Sequence, residues 1–110
     1  MKNMMDMMSM MKKAQQVQSQ MTIIQNKMEN TEFTGTAAND AVQVTMTGKF
    51  KATKVKLDKS VVDADDIETL EDLVLVAIND AKQKADDAME KAFESVKKSL
   101  GLPDEFKLPF

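Results

Sequence analysis

From Asp63 the chain reads "DADDIETLEDLVLVAINDAKQKADDAMEKAFESVKKSLG", with no glycine or proline before Gly101. Asp65 and Glu68 have the spacing of a capping box, acids fill the first turns, and Lys97 and Lys98 sit near the end. Gly101 followed by Pro103 supplies the stop. Leu70, Leu73, Val74, Ala77, Ile78, Ala81, Ala85, Ala88, Met89, Ala92, Phe93 and Val96 form one wide apolar stripe. A helix of about thirty residues spans about 45 Å, well beyond a compact domain of 110 residues, so it must protrude or pair. The large side chains of its first half point to packing on a sheet. The Ala-rich remainder points to a close approach by another helix.

A second helix is predicted at the other end of the chain, over residues 3–29. Met7, Met10, Ala14, Val17, Met21, Ile24 and Met28 return every three or four positions, which is a heptad seam, with Met filling irregular gaps. Met4, Met5, Met8 and Met11 lie off that seam, so the first turns are apolar nearly all round and call for a partner chain to cover them. An export signal would need an unbroken apolar core, which Asp6, Ser9, Lys12 and Lys13 interrupt. A Cu(I) site built on thioethers would stand without Cys or His support, so no metal or cofactor is expected. No apolar run approaches the twenty or so residues of a membrane span.

Between the helices lie three short strand candidates: Glu32 to Ala38, Ala41 to Thr47 and Phe50 to Asp58, with turns at Asn39-Asp40 and Gly48-Lys49. In the third, Val55 and Leu57 share one face and Lys54 and Lys56 the other. The fold class is therefore α+β, in the order α-β-β-β-α, with a small antiparallel sheet and two long helices in one domain over residues 1–110. A three-stranded sheet covers little of two long helices, so a dimer with joined sheets and projecting helices is the economical reading.

Composition narrows the chemistry. The chain has no His, Cys, Trp, Tyr or Arg and only three Gly. The usual zinc sites, a Ser-His-Asp triad and a thiol nucleophile are therefore out of reach, and no phosphate-cradling glycine loop is present. Neither an enzymatic activity nor a small-molecule substrate is expected, and cysteine silence agrees with a reducing cytoplasm. The net charge of -3 conceals a division: residues 1–59 hold nine Lys against five acids, and residues 60–110 hold six against thirteen. Segregated positive charge lets an acidic protein present a basic face.

Three separated segments carry a resemblance: "MKKAQQVQSQM" (Met11 to Met21), "LEDLVLVAINDA" (Leu70 to Ala81) and "GLPDEFKLPF" (Gly101 to Phe110). In order and spacing across the whole chain they resemble the YbaB/EbfC family of bacterial nucleoid-associated proteins. The resemblance implies an intertwined, tweezer-like homodimer whose helical arms bind double-stranded DNA with little sequence preference. It also implies a cytoplasmic protein of the nucleoid that organises DNA or modulates gene expression, without a membrane partner. Family members commonly place Arg on these elements. This chain has none, which argues against selective reading of guanine.

Three Lys clusters are candidate DNA contacts. On the first helix, Lys12, Lys13, Gln16, Ser19, Gln20 and Lys27 lie off the seam, and no acid occurs between Met7 and Met28. Lys can meet phosphates, and Gln can hydrogen-bond phosphates or base edges; the alternative is a solvated polar face. On the second helix, Lys84, Lys91 and Lys98 recur at intervals of seven, either as contacts or as stems flanking a helix pair. Lys49, Lys51, Lys54, Lys56 and Lys59 either deter edge-to-edge aggregation or form a contact surface. Two other functions fit long helices on a small sheet: a holdase that grips unfolded clients, and an adaptor whose Ala-rich arm accepts a partner helix. The tail "FKLPF" is expected to fold back and seat Phe106 and Phe110 on the sheet or on a partner subunit, stiffened by Pro109.

Overall fold

A computed structural model describes residues 4–102 of the chain. Helix α1 (Met4–Glu29) is followed by strands β1 (Glu32–Ala37), β2 (Val42–Thr47) and β3 (Ala52–Leu57), a 3-10 turn at Lys59–Val61, and helix α2 (Ile67–Ser99). The strands form one antiparallel sheet in the order β1-β2-β3. The molecule measures 72 × 23 × 18 Å, the elongation expected when two helices outrun a six-residue-wide sheet. The expected α+β order is therefore present, and the strand and helix limits lie within two residues of those read from the sequence. The expected seating of Phe106 and Phe110, stiffened by Pro109, falls outside the described residues.

Register explains which side of the sheet is buried. Ala37 stands opposite Val42, Gly35 opposite Val44, and Phe33 opposite Met46, so these residues share the face under α2. Val42 and Val44 are at most 1% exposed; full burial of such a side chain contributes roughly 1.5–3 kcal/mol. Ala37, Met46, Ala77 and Ala81 complete the core, with Val61, Leu70, Leu73 and Val74 packed around it. On the opposite face the Thr34 and Thr45 hydroxyls pair at 3.0 Å.

Three details differ from the sequence reading. The N-cap of α2 is Asp66 rather than Asp65: its carboxylate accepts from the Thr69 backbone N–H at 3.3 Å and from the Thr69 hydroxyl at 2.7 Å. Two adjacent aspartates offered the same cap, and Thr69 fixed the choice by donating twice. The close approach of Ala77 and Ala81 is to strand β1, in addition to the contact of α2 with α1. A Cβ built on Gly35 would run into the Ala77 carbonyl oxygen and the Ala81 nitrogen and lie 2.9 Å from the Ala81 Cα. Gly and Ala thus act together to bring α2 onto β1. Thirdly, the α1 seam is covered over only half its length. Val17, Met21 and Met28 are buried and Ile24 is half-buried, but Met7, Met10 and Ala14 are exposed because α2 ends before reaching them.

The end of α2 is sharply defined. Gly101 adopts φ +66°, its N–H donates to the Lys98 carbonyl at 3.2 Å, and the Leu102 N–H donates to the Lys97 carbonyl at 2.8 Å. This pair of bonds is a Schellman cap, which only a left-handed residue after the helix can make.

Candidate nucleic-acid interface

Helix α1 builds its outer face from residues that its packing leaves unused. With about 100° of turn per residue, placing Val17, Met21, Ile24 and Met28 toward the body leaves Lys12, Lys13, Gln16, Gln20 and Lys27 within an arc of about 100° on the adjoining side. All five are exposed. Lys12 and Lys27 are about 22 Å apart along the axis at 1.5 Å per residue, so they can address phosphates on separate turns of a groove. Ile23, 58% exposed in the midst of these residues, was not singled out in the sequence; its only signal was its place beside Ile24 without a role in the seam.

The lysines divide by what they already hold. Among the described residues, Lys12, Lys13 and Lys27 form no ion pair. Lys84, by contrast, lies 3.3 Å from Asp80 and donates to the Thr34 carbonyl at 2.8 Å. Lys91 and Lys98 share their surface with Asp87, Glu90 and Glu94. The intervals of seven on α2 thus do not yield one uniform stripe: the first Lys fastens a strand, and the other two stand among more carboxylates than ammonium groups. On β3 and its approach, Lys51, Lys54 and Lys56 are exposed, while Lys49 pairs with Glu29 at 3.3 Å.

Two further cations, Lys82 and Lys97, were not among the candidate contacts. Lys97, 5% exposed, pairs with Glu94 at 2.9 Å and places its ammonium 5.3 Å from the centre of the Phe93 ring. Lys82 stands 5.2 Å from the Phe50 ring and pairs with Asp86 at 3.2 Å. The i,i+4 spacing of Lys82 and Asp86 was visible in the sequence; the meeting with Phe50 depends on how α2 crosses the β2-β3 turn.

Asp58, which accepts from the Ser60 N–H, is held below its ordinary range, and so is Asp80. The Thr36 N–H donates to Asp80 at 2.9 Å, which favours the charged form, and Lys84 adds to the effect. No group of three or more Asp or Glu able to hold a metal occurs among the described residues. No described helix is long and apolar enough to cross a membrane.

Comparison with known proteins follows the same lines. The model of the YbaB/EbfC DNA-binding family matches residues 2–100. A nucleoid-associated protein of Bartonella tribocorum is 45% identical over 105 residues, covering 96% of this chain and 98% of the relative. One of Paramagnetospirillum magneticum is 47% identical over 102 residues, with 93% and 95% covered. Among solved structures, an uncharacterized protein from Helicobacter pylori has the same fold, with a TM-score of 0.65 at 15% identity, covering 87% of this chain and 99% of that one.

Proposed function

Since the chain belongs to the YbaB/EbfC DNA-binding family, we propose that it acts in the nucleoid as a homodimer that binds double-stranded DNA with little sequence preference through the outer face of α1. The observation that carries this reading is the acid-free stretch between Met7 and Met28, whose Lys12, Lys13 and Lys27 are exposed and unpaired among the described residues. Gln16 and Gln20 between them supply hydrogen bonds to phosphate or base edges. With Lys as the only cation, attraction is a matter of point charges and counterion release, and base selection is weak.

The homodimer is supported by what α2 leaves uncovered. Val55 and Leu57 lie on the α2 side of the sheet, opposite Val44 and Val42, yet are 57% and 41% exposed. On the same flank of α2 as Lys82, whose ammonium reaches Phe50 before β3, Leu75 and Ile78 are 57% and 38% exposed. A trough between β3 and α2 is thus apolar and open, beside a strand with a free edge. A second copy, offering the same trough, matches it in size and chemistry. Two copies present six unpaired α1 lysines to one duplex.

Binding of random-sequence duplex, followed by anisotropy across salt concentrations, tests the reading. Six phosphate contacts predict a slope of log affinity against log salt of about -5. K12E/K13E/K27E in an intact dimer is expected to abolish binding at moderate salt. Salt-independent affinity, or undiminished binding by this variant, would refute the α1 site.

A further inference from the structure

The chain has no Cys, Trp, Tyr or His, so methionine is its one readily oxidised side chain, and it has eleven. Burial sorts them. Met21, Met28 and Met46 are at most 6% exposed, whereas Met4, Met5, Met7, Met8, Met10 and Met11, on the first turns of α1, are each between 56% and 77% exposed. Met5, Met8 and Met11 line one shallow groove with Ser9, Lys12 and Gln15. The C-cap of α2, Leu100, meets α1 beside Lys12, Gln15, Gln16, Ser19 and Gln20, so cover by α2 begins at Lys12. Ahead of that point, apolar pairs three and four residues apart, such as Met4 with Met8 and Met7 with Met11, add to the helix's own backbone bonds. The apolar trough beside Ile78 lies about 33 Å along α2 from Leu100, so pairing there leaves the methionines accessible.

We propose that these methionines are a modification site: hydrogen peroxide converts them to sulfoxides, which loosens the end of α1 and weakens the hold of Lys12 and Lys13 on DNA. A sulfur lone pair attacks one peroxide oxygen, the S–O bond forms as the O–O bond breaks, and the departing hydroxide takes the remaining proton to leave as water. Sulfur gives up two electrons and the peroxide accepts them. The sulfoxide is polar and chiral where the thioether was apolar and adaptable, so the apolar pairs along the helix are lost. A helix end without tertiary cover depends on such pairs, because short helical segments are marginal in water. Lys12 and Lys13 follow directly on Met11, where cover begins, and their position on the α1 face is lost with the turns before them. Enzymatic reduction of the sulfoxides restores the thioethers, which makes the site a reversible switch. The effect on DNA rests on the function proposed above, whereas oxidation and loosening do not.

Peroxide titration of the full chain tests the site. Peptide mass spectrometry is expected to show Met5, Met8 and Met11 taking up oxygen well before Met21, Met28 and Met46; uptake at equal rates would overturn the assignment. Circular dichroism should lose about two turns of helix and regain them with methionine sulfoxide reductases for both epimers. Unchanged helicity in the oxidised chain would refute the loosening, whether or not the chain binds DNA. Duplex affinity is expected to fall roughly tenfold, since a loosened arm must be re-ordered on binding, and to recover on reduction. M4L/M5L/M7L/M8L/M10L/M11L keeps the apolar pairs without sulfur, so it should hold its helicity and affinity through the same treatment. Equal losses in that variant would place the effect at the buried methionines and overturn the proposal. Helix loss with unchanged affinity in a chain that binds DNA would retain the modification and overturn its effect on binding. Absence of duplex binding by the reduced chain would refute the α1 function alone and leave the helicity result to decide the modification.

Discussion

The two edges of the sheet receive opposite treatment. At β1 the outer backbone is sealed by α2: Asp80 accepts from the Thr36 N–H, Lys84 donates to the Thr34 carbonyl, and Gly35 lets the helix backbone touch the strand. At β3 every residue from Ala52 to Leu57 is exposed, although Val55 and Leu57 continue the buried face of β2. An edge strand left bare normally carries devices against pairing, and β3 has Lys54 and Lys56, but these lie on the far face, away from the apolar trough. The contrast teaches that α2 closes one side of the sheet and leaves the other open, so that the residues that fold one chain are distinct from those left for the association proposed above.

The strongest way to break this contrast is at the closed edge. Gly35→Ala puts a methyl group against helix backbone that cannot rotate away, so α2 must lift from β1 and withdraw Asp80 and Lys84 with it. A loss of about 3 kcal/mol in denaturant unfolding is expected, at the upper end of overpacking costs. A loss below about 1 kcal/mol would mean that the helix rides on β1 more loosely than its alanines imply.

The open edge should respond in association rather than in folding. Val55→Asp with Leu57→Asp introduces carboxylates where both side chains are already solvated in the single chain. Helical content by circular dichroism should be retained, while sedimentation equilibrium shows the dimer dissociation constant rising about a hundredfold or more, the scale of two lost apolar side chains. An unchanged dimer would move the interface elsewhere.

The two edges also differ in how far they could be read from sequence. Helix and strand identity followed from periods of seven and two, and the off-seam position of Lys12, Lys13, Gln16, Gln20 and Lys27 followed from the same period. The open edge was anticipated only as an expected joining of sheets, without the strand that would be left bare. What could not be read is pairwise meeting across the fold. Lys84 looked equivalent to Lys91 and Lys98 on a helical wheel, and only the crossing of α2 over β1 gives it the Thr34 carbonyl. The Ala-rich stretch announced a close approach correctly, but small residues do not say whether a helix or a strand comes near; Gly35, the complementary small residue, was the missing half of that inference.

The smallest expected effect separates charge from hydrogen bonding at the closed edge. The Thr36 N–H, and then Lys84, hold the Asp80 carboxyl below its ordinary value of 3.8. A lowered value in the folded chain means that the carboxylate stabilises the fold fully above the unfolded value, and that this contribution is lost as pH falls through the folded value. The side chain is 37% exposed, so solvent screening discounts it. Asp80→Ala removes both interactions and should cost about 1 kcal/mol at neutral pH. Asp80→Asn keeps an oxygen for the Thr36 N–H and loses only the charge, which should cost about 0.5 kcal/mol or less. Below the folded value the protonated wild type resembles the Asn variant, so the difference between those two should vanish while the Ala variant stays weaker. If the gap between wild type and Asp80→Asn stayed constant from neutral pH into acid, the seal on β1 would owe nothing to the carboxylate charge, and the closed edge would rest on its hydrogen bonds and on the packing of Gly35 against the alanines.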